Sequence, residues 1–127
     1  MVISRSAAVV SREPGDDRMV GWLVCVTGGE AGRDYRIQSG TNSIGRSPSN
    51  RIAVNDASVA NDQHASIVFD AANATFHLRP GWSRGLVFVN DKLVLNPLVL
   101  KSYDKITLGQ STFVFVPLCG DRFGWPK

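Results

Sequence analysis

Gly45-Arg46 and His64-Ala65-Ser66-Ile67 decide how this chain reads. Each stands where a strand-like run meets a loop, and no helix-forming run adjoins either. Upstream, Trp22 to Thr27 is β-branched or apolar, and Gly28-Gly29-Glu30-Ala31-Gly32 reads as a hairpin loop. Arg33 to Gln38 alternates through Tyr35 and Ile37, as a half-buried strand does. Ser39-Gly40 turns the chain, and Thr41 to Arg46 is a third strand. Pro48 stops it, because proline cannot donate to a ladder. Arg51 to Val54 is a short strand, and Asn55 to Gln63 is a long polar loop. Ala65–Asp70 and Thr75–Arg79 form the next pair, with Ile67, Phe69, Phe76 and Leu78 facing in. Leu86–Val89, Lys92–Leu95, Leu98–Leu100, Lys105–Leu108 and Ser111–Leu118 follow, parted by Asn90-Asp91, Asn96-Pro97, Ser102-Tyr103-Asp104 and Gly109-Gln110. Ten or eleven short strands with a turn every few residues predict an all-β sandwich or barrel rather than βαβ units.

At 127 residues the chain is long enough to bury one core. Residues 1–19 read as a flexible tail, 20–118 as the sandwich and 119–127 as a short C-terminal tail from which Phe123 and Trp125 pack back. The net charge of +3 is mild and its basic residues are scattered, which argues against nucleic-acid binding. No apolar run is long enough for a membrane helix, and the start of the chain lacks the pattern of a secretory signal. The expected compartment is the cytoplasm. Cys25 and Cys119 have no metal-ligand spacing; Cys25 is expected as a buried free thiol, with a disulfide to Cys119 as the alternative. Asn73-Ala74-Thr75 fits the glycosylation pattern by chance. There is no nucleophile elbow and no Walker loop, and His64 and His77 complete no catalytic set. The chain is therefore expected to be no enzyme and to need no cofactor or metal.

From Gly21 to Val116 the chain resembles a forkhead-associated (FHA) domain, a phosphothreonine-reading β-sandwich of the FHA/SMAD-like type with mostly antiparallel strands. The residues that carry the resemblance are Ile44-Gly45-Arg46, His64-Ala65-Ser66-Ile67, Gly85 with Val87-Phe88-Val89-Asn90, Tyr103-Asp104-Lys105-Ile106-Thr107-Leu108-Gly109, and Phe113 with Phe115. The resemblance implies phosphate contacts from loops at one end of the sandwich. Arg46, with Ser47 beside it, would offer its planar fork to phosphate oxygens. Gly45 would allow a close backbone approach, His64 would brace the loop from beneath, and Gly85 would support the site.

Two positions depart from the family pattern. The family has a serine three residues before the histidine; here that place holds Asn61, or Ala60 if one residue is inserted. Asn61 still offers an amide N–H to an anion. The family's Asn-Gly-Thr reads Arg84-Gly85-Leu86, so the peptide-ordering carbonyl is replaced by a cation, and Arg84→Asn is expected to strengthen phosphopeptide binding. Ser83 supplies a hydroxyl next to it. The expected binding set is thus Arg46, Ser47, Asn61, Ser83 and Arg84. The expected partner is a protein or peptide phosphorylated on threonine; the alternative is a phosphorylation-independent scaffold that binds an unmodified protein.

Overall fold

In the computed structural model, residues 18–81 and 85–126 are described. They form eleven strands and no helix: β1 (Met19–Thr27), β2 (Asp34–Gln38), β3 (Gly40–Gly45), β4 (Ile52–Ala53), β5 (Ala65–Asp70), β6 (Thr75–Pro80), β7 (Val87–Val89), β8 (Lys92–Leu93), β9 (Leu98–Val99), β10 (Lys105–Leu108) and β11 (Ser111–Pro117). The expected all-β sandwich is what forms. A six-stranded sheet runs β2-β1-β11-β10-β7-β8, and a five-stranded sheet runs β4-β3-β5-β6-β9. Pairing is antiparallel except between β3 and β4, where Ile44 lies opposite Ile52 in parallel register.

Turn chemistry follows the sequence closely. Gly28 (φ 117°) and Gly32 (φ 96°) take the left-handed conformations that close the β1–β2 hairpin. Asn90 and Asp91 both have positive φ (51° and 68°), which lets two residues join β7 to β8 with a twist that matches the strands.

The period of two then separates core from surface. Leu23, Cys25, Ile37, Ile44, Ile67, Leu78, Ile106, Leu108, Phe113 and Phe115 point inward and are fully or almost fully buried. The sheets meet through aromatic rings: Phe76 lies edge-on to Phe115 at 4.8 Å between centroids and against Phe69 at 4.7 Å. Outward positions of the six-stranded sheet share rows across the strands. Asp34, Val24, Val114 and Lys105 make one row, and Arg36, Trp22 and Val116 make the next. A third joins Thr112, Thr107, Phe88 and Leu93.

At one end β1 begins beside the C-terminal segment. The Trp125 indole N–H donates to the Met19 carbonyl at 2.7 Å, Phe123 lies edge-on to Trp125, and the Arg18 guanidinium sits over the Trp125 ring. At the opposite end gather the β3–β4, β4–β5 and β10–β11 connections, where the predicted binding residues fall.

Candidate functional site at the loop end of the sandwich

β3 ends where Gly45 is pressed between two asparagines. A Cβ there would stand 2.6 Å from the Asn50 amide nitrogen and 2.8 Å from the Asn61 carbonyl, so only glycine fits without displacement. The Gly45 carbonyl accepts from Val54 N–H (2.8 Å), which turns the chain back on itself around Pro48. Arg46 N–H then donates to the Ala60 carbonyl (3.0 Å), and Ser47 N–H to the Asn61 carbonyl (2.9 Å). Two loops far apart in sequence are zipped together by backbone bonds directly under the arginine.

Arg46 itself is exposed. One Nη1–H donates to the Ala57 carbonyl at 3.0 Å, which fixes the direction of the guanidinium. Among the described residues it has no carboxylate partner. A fork with most of its donors unengaged, held at a loop rim, is an anion acceptor in search of an anion. The Ser47 hydroxyl bonds the Ser49 hydroxyl at 3.0 Å. The Asn61 side chain is exposed, and its backbone carbonyl carries the structural contacts.

Beneath the rim lies His64, 1% exposed. Its Nδ1 accepts from Ala60 N–H (2.9 Å) and its Nε2 faces the Leu86 carbonyl (2.8 Å). A backbone amide can only donate and a carbonyl can only accept, so this is neutral imidazole with the proton on Nε2. His64 therefore ties the β4–β5 loop to the chain entering β7. Gly85 is where that ring passes: a Cβ on it would overlap the imidazole. Ala60, held by both Arg46 and His64, is the loop residue next to the arginine backbone. The longer path from Ala60 to His64 is absorbed by Gln63, whose φ is positive (37°). Ser83 and Arg84 lie outside the described residues.

Two supports escaped the sequence reading. Asn50 is 7% exposed, and its amide nitrogen donates to the Ser47 and Asn61 carbonyls (2.9 and 3.0 Å) while its oxygen accepts from Gln63 N–H (3.2 Å). It welds both loops through one side chain. Asp56 anchors the other flank: its carboxylate accepts from Ser58 N–H (2.8 Å), from the Ser58 hydroxyl (2.6 Å) and from the Ser111 hydroxyl. Ser58 in turn accepts from Gln110 N–H at 2.8 Å, which pins the loop to the β10–β11 turn. The Ser111 and Ser58 hydroxyls hold the Asp56 carboxyl below the usual aspartate range. The only sequence signal was the Asx-turn spacing of Asp56 and Ser58; the long-range partner was not legible.

A groove of about 590 Å³ runs along the edge strands β8 and β9, lined by Leu93, Leu95, Pro97, Leu98 and Val99, and contains none of these residues. Among the described residues no group of three or more His, Cys, Asp or Glu is arranged to hold a metal ion, and no helix is long and apolar enough to cross a membrane.

The loops at one end of the β-sandwich thus present an exposed, braced arginine. The family model of the FHA domain matches residues 42–109, more than half of the chain, and the protein belongs to that family. No curated protein matches it. Among solved structures, it is similar to an FHA domain from a structural and functional analysis of phosphothreonine-dependent FHA domain interactions, at 26% identity and TM-score 0.67 over 76% of this chain and 95% of that one. The FhaA FHA domain, solved in complex with the intracellular domain of Rv3910, is 26% identical with TM-score 0.66, over 75% of this chain and 98% of that one. EmbR of Mycobacterium tuberculosis, solved with a low-affinity phosphopeptide, is 25% identical with TM-score 0.67; the match covers 84% of this chain and 26% of EmbR.

Proposed function

We propose that this domain reads phosphothreonine peptides, with Arg46 as the phosphate anchor. The observation that carries the reading is the exposed Arg46 guanidinium, oriented by the Ala57 carbonyl and unpaired with any carboxylate among the described residues. Two of the similar structures concern phosphothreonine-dependent FHA domain interactions and a phosphopeptide complex, which supports the same class of ligand here. In this reading Ser47 and Asn61 flank the phosphate, and Ser83 and Arg84 contribute a hydroxyl and a second cation. Gly45, His64 and Gly85 keep the rim in shape. The module is non-catalytic, and its two free cysteines suit the reducing cytoplasm.

A second reading is favoured by one specific feature. Ala60 stands beside the Arg46 backbone and has no hydroxyl, while Ser58 spends its own on Asp56 and Gln110. A site short of one hydroxyl donor grips phosphate less tightly, by about 1.5–3 kcal/mol for a bond to a charged group, so tenfold or more in affinity. The domain would then serve as a phosphorylation-independent scaffold for a protein partner.

Titration of a phosphothreonine peptide library, paired with the unphosphorylated peptides, separates the two. A reader binds phosphorylated members only, and Arg46→Ala weakens them by roughly tenfold to a hundredfold. Equal binding of both peptide forms, indifferent to Arg46→Ala, would establish the scaffold instead.

A further inference from the structure

The outward face of the six-stranded sheet breaks the pattern expected of a solvated β-face. An antiparallel sheet with one wet side alternates apolar-in and polar-out. Here β1 and β11 place Trp22, Val24, Val114 and Val116 outward, side by side in register. Beyond the polar outward positions of β10 (Lys105 and Thr107), Phe88 and Leu93 also point outward on β7 and β8, and Leu93 is 48% exposed. No charged residue lies on the outward positions of the two central strands. Charges appear only in the flanking strands: Asp34 and Arg36 on β2 and Lys105 on β10, with Asp34 and Lys105 at opposite ends of one row. Neither has an ion-pair partner among the described residues.

We propose that this face is a dimer interface whose occupant is a second copy of the chain. The order of that row, Asp34-Val24-Val114-Lys105, is self-complementary. Let the two-fold axis lie between the facing sheets and run parallel to the strands, midway between β1 and β11. Each residue of the row then faces its mirror position in the row. Val24 meets Val114 of the second copy, Trp22 meets Val116, and Asp34 meets Lys105, each contact occurring twice by symmetry. An axis across the strands within this row would set Asp34 against Asp34 and Lys105 against Lys105, and one between the two rows would pair Asp34 with Arg36 but leave Lys105 without an opposite charge. Only the axis along the strands pairs both charges of the row. Four strands about 4.8 Å apart, with some five residues at about 3.3 Å each, give a face roughly 20 Å by 17 Å. That is the small end of specific interfaces, so the dimer is weak and concentration-dependent. The phosphate rim lies at the end of the sandwich and is not covered.

Sedimentation velocity on the full chain, from about 5 to about 500 µM, brackets a dimer of that size. The wild type shifts from monomer to dimer over this range. Asp34→Lys and Lys105→Asp each place like charges at both symmetric contacts and weaken association by about tenfold or more. An equimolar mixture of the two single variants, in which every contact again pairs opposite charges, recovers the dimer. That recovery also shows that both variants fold. A wild type that stays monomeric throughout overturns the proposal, as does a dimer that ignores both charge reversals or a mixture that fails to recover.

Discussion

Arg46 draws its meaning from what holds it rather than from being an arginine. Its backbone is tied to Ala60, its Nη1 to Ala57, and its neighbour Gly45 is wedged between Asn50 and Asn61. Such anchoring removes rotamer freedom before any ligand arrives, which is a cost a loose surface arginine would meet on binding. The same logic makes Gly85 a sensitive position although it touches no proposed ligand. A methyl group there collides with the buried His64 ring, whose two hydrogen bonds join the loop to β7. Gly85→Ala is expected to lower unfolding stability by about 1–3 kcal/mol and to weaken phosphopeptide binding in parallel. Urea denaturation reads the first effect. A change within about 0.5 kcal/mol of wild type would mean that the ring steps aside at no cost. Arg46, Gly45, His64 and Gly85 were singled out in the sequence by the order and spacing of the motifs that carry the family resemblance, not by residue type alone. Asn50 was not legible. An asparagine in a loop looks like any turn residue until its partners, Asn61 and Gln63, are known to fold over it.

At the scale of elements, the strands were readable nearly to the residue. Alternation and turn chemistry mark β2, β5, β6 and β10 within one or two positions, since each is bounded by glycine, asparagine or proline. The loop from Asn55 to Gln63 was legible only as a loop. Its shape comes from Asp56, which reaches across the chain to Ser111 and locally to Ser58. These bonds favour the ionised carboxylate, so the folded state binds the Asp56 proton less tightly than the unfolded chain does. The stability that Asp56 lends is complete above the ordinary aspartate pKa of about 3.9 and drains away as the pH falls through the lower folded value. Glu30 behaves in the same sense: the Tyr35 hydroxyl, at 2.5 Å, is the main cause holding its carboxyl down. Thermal melts between neutral and strongly acid pH should therefore show wild type losing more stability than Asp56→Asn once the pH drops below about 4. Parallel curves for the two proteins would contradict the role given to this carboxylate.

Over the whole molecule, the two cysteines test the topology. Cys119 N–H bonds the Val20 carbonyl, while Cys25 lies five residues further along β1. At about 3.3 Å per strand residue they stand roughly 16 Å apart, beyond any disulfide. Both are buried, and burial is the leading cause that pushes each thiol upward from its usual range. A thiol reagent at neutral pH is expected to label neither in the native protein and both after guanidinium unfolding, with a melting point unchanged by reductant. Rapid labelling of the native protein would show that the sandwich opens more readily than its packing implies.

The described chain begins and finishes at one place. Arg18 reaches the carbonyl of Pro126 at 3.3 Å, and Trp125 closes on Met19. From there β1 runs nine residues to the opposite pole, about 30 Å away. The fold thus has the geometry of a cassette: a host polypeptide can enter and leave through a single hinge point, and a sensor chip can hold it by either extremity, while the guanidinium faces open solvent on the far side.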